Sequence, residues 1–195
     1  MSLVGQKTKS DFIEWDKLQS LTQKLERDGD YKFTLLITIG MYTGLRISDI
    51  LSLRWTDLLN KDTVEITEKK TGKQRKIQLN QHLQESVLRI SSKIPRFNPE
   101  QLIFINKYGK KVISRQYVNW KLKDLVKRYE VVKNITGVKS HSLRKSFGRR
   151  VWENNERNER GLIMLNEIFN HSSIRTTKIY LGIREKEIMD VYQNL

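Results

Sequence analysis

The chain has 195 residues, enough for one domain with a proper core or at most two small ones. Clustered hydrophobic residues, 37% of the total, favour a folded protein, and the absence of cysteine excludes a disulfide framework or a thiolate metal site and fits a reducing cytoplasm. A formal net charge of +15, with no apolar run long enough to span a membrane, points to a nucleic-acid partner rather than a membrane.

Residues 1–10 are polar, lack the apolar core of a secretory signal and read as a linker. Over 15–27, Trp15, Leu18, Leu21 and Leu25 recur at the spacing of one helix face. The stretch 32–42 is apolar nearly all round and predicts a buried helix, which Gly44 suits as a left-handed stop. A new helix is expected over 45–53, and 55–59 leaves it. Segments 63–67 and 75–79 are β-like and joined by Lys-Lys-Thr-Gly-Lys, which predicts a hairpin. A helix over 81–91 follows, then 94–100 with both prolines of the chain as the clearest break. A short strand over 102–106 and a turn over 107–111 lead to Ser114, which can cap a helix over 115–129 with Val118, Leu122, Leu125 and Tyr129 on one face. Further helices are expected over 142–154, 161–169, 173–180 and 184–193. In the last, Ile188, Val191, Tyr192 and Leu195 form an apolar stripe that must be buried somewhere, in cis or on a neighbour. The fold class is α+β, mainly α.

The positive charge is uneven. Residues 1–30 hold five Lys/Arg against six Asp/Glu, whereas 107–150 hold fourteen against only Asp124 and Glu130. Interleaved with Tyr108, Tyr117, Trp120 and Tyr129, that stretch reads as a nucleic-acid surface. Its bland reading is a solubilising helix face. Lys69, Lys73, Arg75, Lys110, Lys111, Arg115 and Lys145 are the candidate DNA contacts.

Four short segments carry chemistry: Thr-Gly-Leu-Arg-Ile-Ser-Asp at 43–49, Lys-Lys-Thr-Gly-Lys at 69–73, His-Ser-Leu-Arg-Lys-Ser-Phe at 141–147, and Asn-His-Ser-Ser-Ile-Arg-Thr-Thr-Lys-Ile-Tyr at 170–180. Arg46 and Arg144 can clamp a phosphate, Lys70, His141 and His171 can move protons or donate hydrogen bonds, and Tyr180 can attack. Asp49, one turn beyond Arg46, can fix its guanidinium. His141 and Arg144, three apart, can present both groups to one target. These parts suit phosphoryl transfer on nucleic acid. Taken singly each has an ordinary reading: a surface ion pair for Arg46, a solvated loop for Lys70, a satisfied polar group for either histidine, packing for Tyr180. No Gly-rich phosphate loop and no acidic metal cluster accompanies them, so no cofactor or metal is called for.

From Asp11 onward, the order and spacing of these segments, ending in a Tyr nine residues after a His, resemble the catalytic domain of the tyrosine recombinases, the phage and mobile-element integrase family. Three places depart from the family pattern: Phe169-Asn170 stands for the usual Leu-Gly, Lys145-Ser146 for His-Thr, and Asp49 for Glu. The resemblance implies one helical catalytic domain over 11–195 with a small antiparallel sheet. It implies a site-specific recombinase that cleaves and rejoins double-stranded DNA through a 3′-phosphotyrosyl link. Arg46, Arg144 and His171 would hold the phosphate, Tyr180 attack, His141 take its proton, and Lys70 protonate the departing 5′ oxygen, ahead of its neighbours Lys69 and Lys73. It also implies a homo-tetramer on DNA, a cytoplasmic, DNA-associated bacterial protein, and C-terminal segments passed between subunits. The family's N-terminal DNA-binding clamp domain is expected to be absent, because the stretch before Arg46 is too short to hold it. The other readings are a type IB topoisomerase, which strand exchange would distinguish, a non-catalytic DNA-binding protein, which covalent trapping would distinguish, and an RNA-binding domain, which competition would distinguish.

Overall fold

Helix α1 (Trp15–Arg27) buries Leu18, Leu21 and Leu25 against α2 (Tyr31–Thr43), the central helix of a computed structural model that describes residues 11–95, 97–106, 108–109, 111–133, 137–183, 189 and 191–193. Helix α2 is apolar nearly all round because α1, α5 and α7 pack on it from three sides. Its buried threonines need no outside partner: Thr34, Thr38 and Thr43 donate their hydroxyls to the carbonyls of Asp30, Thr34 and Ile39, one turn back. Asp30 caps its start, and Gly44 stops it at φ 60°. A side chain at Gly44 would be strained in that conformation, and its Cβ would stand 2.4 Å from the ring of Phe147.

The helix expected over 45–53 shortens to α3 (Ile47–Ile50), and α4 (Trp55–Leu58) follows. Strands β1 (Thr63–Thr67) and β2 (Gln74–Gln78) pair antiparallel, Val64 opposite Ile77, one residue earlier in the second strand than its apolar pattern predicts. Helix α5 (Gln81–Ser91) is capped by Asn80. The strand expected over 102–106 does not form. Leu102 and Ile105 each make a single bridge, to Arg54 and Val112, while the Ile103 N–H goes to the Leu53 carbonyl and the Lys32 amine takes the Ile105 carbonyl. Its partners are loop residues with no neighbouring strand to extend a ladder.

Helix α6 (Arg115–Arg128) is capped by Ser114 as expected. Helix α7 (Ser140–Asn154) begins two residues early because the Asn119 side chain accepts the Ser140 N–H at 2.8 Å. Helix α8 (Glu159–Phe169) likewise starts early, on an Asn158 cap, and α9 (Ile174–Leu181) is capped by Ser173 and stopped by Gly182. Two apolar cores result. The larger joins α1, α2, α5, α6 and the start of α7; the smaller is Trp152, Leu162, Leu165, Phe169, Leu181 and Ile183. Gly148 lets α7 approach both Phe169 and Leu181, since a Cβ there would lie 2.7 Å from Leu181. Of the expected tail stripe, Ile188 and Leu195 lie outside the described residues; Val191 and Tyr192 are helical and exposed. The architecture is mainly helical with one two-stranded antiparallel sheet.

Candidate active site

The site forms where the two cores meet, and its centre is a backbone carbonyl. Helix α8 ends with Asn170 in the left-handed region at φ 51°, the Asn170 N–H on the Glu167 carbonyl and the His171 N–H on the Asn166 carbonyl, each at 3.0 Å. That closing pattern leaves the Phe169 carbonyl free of helical donors. Arg46 and Arg144 both donate to it, through Nη2 at 3.3 and 3.2 Å. The partial negative charge at a helix C-terminus favours this convergence. Arg144 is buried, lies over the Phe169 ring at 4.3 Å, and gives its other Nη to the Gly44 carbonyl. Burial, with Arg46 and Arg75 nearby, lowers its pKa to about 10, so it stays cationic at neutral pH.

Arg46 is held by Glu68, which is not among the residues expected from the sequence. Glu68, 1% exposed, accepts from Arg46 Nη1 at 2.5 Å, Arg75 Nη1 at 3.1 Å and the Thr71 hydroxyl at 2.7 Å. Burial pushes its carboxyl up, but the Thr71, Arg75 and Arg46 donors overcome that and hold it at about 2. Asp49 does not make the expected contact with Arg46. Arg46 precedes α3 with extended backbone at ψ 148°, so its side chain leaves the helix surface where a pair three residues apart would meet. Asp49 instead accepts the Lys69 N–H at 3.0 Å and the Ser48 hydroxyl at 3.3 Å through Oδ1, leaving Oδ2 buried and unpartnered. A signal for Glu68 did exist: Val64 and Ile66 share one face of β1, and Glu68, one residue past its end, continues their alternation as a lone carboxylate on an apolar row.

Lys70 tops the tight turn between β1 and β2, exposed, and its charge reaches both histidines. Of its neighbours, Lys69 is exposed, while the Lys73 amine bonds the Asn170 side chain at 2.6 Å. Arg75, expected on the DNA surface, is committed to Glu68 inside the site. Lys111 and Arg115 are exposed, with Arg115 close enough for His141 to feel its charge; Lys110 lies outside the described residues.

His141 stands in the first turn of α7, open to solvent at its own surface although protein crowds it within a wider radius. Burial, followed by the charges of Arg144, Arg115, Lys145 and Lys70, lowers its pKa, and the ring of cations is the sturdier cause for so open a side chain. His171 is half-buried and lowered further, to about 4, by burial and by Arg144, Arg46 and Lys70. Its Nδ1 meets the Thr177 hydroxyl at 3.0 Å, which in turn bonds Asn166, so the ring is oriented and Nε2 remains for the pocket.

Tyr180, on α9, packs edge-on against both Phe169 and His171, with ring centroids 5.5 and 5.2 Å away. Its hydroxyl is buried without a hydrogen bond, and burial raises it to about 12 against the pull of Arg144 and Arg46. The ring packed beside it is therefore His171; His141, expected to take its proton, lies exposed in the first turn of α7 and makes no hydrogen bond to the Tyr180 hydroxyl in the DNA-free protein. Lys145, expected to face DNA, lies 5.2 Å over the Tyr180 ring. Among the described residues, no group of three or more His, Cys, Asp or Glu side chains converges.

Two guanidinium groups, the His171 imidazole and a buried phenol thus gather at the end of α8, with His141 near enough to feel the charge of Arg144. The phage integrase family model matches residues 11–187. The chain belongs to the phage integrase family. Relatives of this chain include a probable integrase/recombinase, YoeC, of Bacillus subtilis, 28% identical with 91% of this chain and 92% of that protein aligned. A tyrosine recombinase of Thermosipho africanus is 30% identical over 95% of this chain but only 62% of its own length, so this chain spans less than two thirds of that relative. The crystal structure of the XerH site-specific recombinase bound to its palindromic difH substrate, a post-cleavage complex, superposes with a TM-score of 0.67, 20% identity, and coverage of 98% of this chain and 55% of that one. The fold is therefore the one shared by these recombinases.

The departures from the family pattern are each occupied. Ser146 is buried and bonded to the backbone of Ile13, tying the entry segment to α7. Asn170 tolerates the left-handed conformation that a glycine would otherwise supply. No described helix is long and apolar enough to cross a membrane.

Proposed function

We propose that this protein is a site-specific DNA recombinase that breaks and rejoins strands of duplex DNA through a 3′-phosphotyrosyl intermediate. The observation that carries the proposal is the convergence of Arg46 and Arg144 on one carbonyl beside a buried phenol whose hydroxyl has no partner. A DNA phosphate entering the cleft meets both guanidinium groups, which stabilise the charge of the pentacoordinate transition state; His171, whose Nδ1–H is spent on Thr177, joins them only once its Nε2 has taken up a proton. The Tyr180 oxygen attacks phosphorus, the bond to the 5′ oxygen breaks, and Lys70 supplies that oxygen's proton. Burial and the surrounding cations lower both imidazoles, which leaves a lone pair on each for the phenol proton, and His171 Nε2, once protonated, can donate to the phosphate. A 5′ hydroxyl from a second duplex reverses the step, and the phosphotyrosyl link conserves the energy of the phosphodiester. The basic stretch 107–150 carries the flanking duplex, and the protein assembles as a homo-tetramer on DNA.

The test is incubation with a nicked suicide duplex followed by a denaturing gel. A protein–DNA adduct is expected from the wild type and none from Tyr180→Phe, with duplex binding retained. An adduct of undiminished yield in the variant, or none in either, overturns the proposal. Strand exchange between two duplexes then separates recombination from simple relaxation.

A further inference from the structure

The turn that carries Lys70 is held to the site at three points. The Lys69 N–H is held by Asp49, the Thr71 hydroxyl by Glu68, and the Lys73 amine by Asn170. The first two contacts lie on the β1 side of Lys70 and at its following residue. Among the described residues, the third alone joins the far side of the turn to the segment that bears the Phe169 carbonyl and His171. Asn170 can make it only because it has a side chain in a left-handed position, φ 51°, where the family pattern has glycine and no donor or acceptor beyond the backbone.

We propose that Asn170 is a positioning residue: its side-chain oxygen latches Lys73 and so closes the Lys70 turn over the paired arginines before DNA arrives. The proposal rests on the recombinase reading for its catalytic consequence, but the latch itself does not. The bond is solvent-exposed, so it opens and closes readily. Its effect is to raise the fraction of time that Lys70 stands near the phosphate cleft rather than to add bulk stability.

Asn170→Gly is the informative variant, because glycine adopts the left-handed conformation freely and the fold is kept. In the DNA-free protein, amide hydrogen exchange across 69–73 should rise severalfold in Asn170→Gly and in Lys73→Met, and no further in the double variant. Unchanged exchange overturns the latch whatever the chemistry does. For the chemistry, single-turnover cleavage by Asn170→Gly should slow about tenfold on an ordinary duplex, with unchanged duplex affinity and melting temperature. With a bridging 5′ sulfur at the scissile position the loss should shrink below about twofold, since a thiol of pKa about 8.5 leaves without a proton and needs no lysine. Asn170→Asp, which keeps an acceptor for Lys73, should restore the ordinary rate. Wild-type cleavage of the ordinary duplex by Asn170→Gly, or an equal loss on both substrates, overturns positioning of Lys70. An exchange response as expected, with no adduct from any form of the protein, overturns the recombinase reading and leaves the latch standing.

Discussion

Glu68→Gln probes the least visible part of the site. The carboxylate is 1% exposed and bridges Arg46 and Arg75 while accepting from Thr71. A carboxyl held at about 2 rather than at an ordinary 4.5 contributes about 3 kcal/mol at neutral pH. Removing one charge from a buried pair costs about 3–5 kcal/mol by a separate route, so the two figures agree. Glutamine keeps the shape and part of the hydrogen bonding, which puts the expected loss at about 2–3 kcal/mol. The pH dependence has a definite sign. The folded state holds Glu68 ionised below the pH at which the unfolded chain protonates it. Its stabilisation is therefore complete above pH 4.5 and drains away as pH falls through about 2. Urea unfolding of wild type and variant at pH 7 and pH 3 reads this directly. The gap between them should narrow by about 2 kcal/mol at the lower pH. A variant within about 0.5 kcal/mol of wild type at pH 7, or a gap independent of pH, refutes the role given to Glu68. Because Glu68 holds Arg46, DNA cleavage should suffer more than DNA affinity.

Three further outcomes follow from the same geometry. Tyr180→Phe should melt no lower than wild type by calorimetry and gain up to about 1 kcal/mol, because the buried hydroxyl has no partner to lose; a loss larger than that would reveal a hydrogen bond absent from this structure. Arg144→Lys should abolish cleavage nearly as completely as Arg144→Ala, since one ammonium cannot serve the Gly44 and Phe169 carbonyls and a phosphate together; near-normal adduct formation by the lysine variant would show that charge alone suffices. His171 should titrate by NMR near 4 in the free protein and climb when a DNA phosphate offsets the arginines. Since the unfolded chain takes up that proton first, stability should decline as pH falls below 6.5 toward 4, and an ordinary titration in the free protein would contradict the cationic pocket.

The helices and the hairpin were legible in the sequence because their signals are local. Leu18, Leu21 and Leu25 repeat at helical spacing, Ser114 offers a cap, and the all-apolar run into Gly44 describes a central helix and its stop. The chemistry-bearing residues were legible as a set, because Arg46, Lys70, His141, Arg144, His171 and Tyr180 keep a recognisable order. What joins them was not. The hub of the arginine pair is the Phe169 carbonyl, a backbone atom that every residue possesses and that only the closing geometry of α8 leaves free. Spacing assigned Asp49 to Arg46, but an i,i+3 pair presupposes that both residues lie on the helix, and the extended backbone at Arg46 turned its side chain to Glu68, just past the end of β1, instead. Arg75, Lys73 and Lys145 read as surface charge until the folded chain set them against Glu68, Asn170 and the Tyr180 ring. Local periodicity fixes which segments become helix or strand, whereas the partners of a charge depend on contacts between residues as far apart as Arg46 and Phe169, which only tertiary packing brings together.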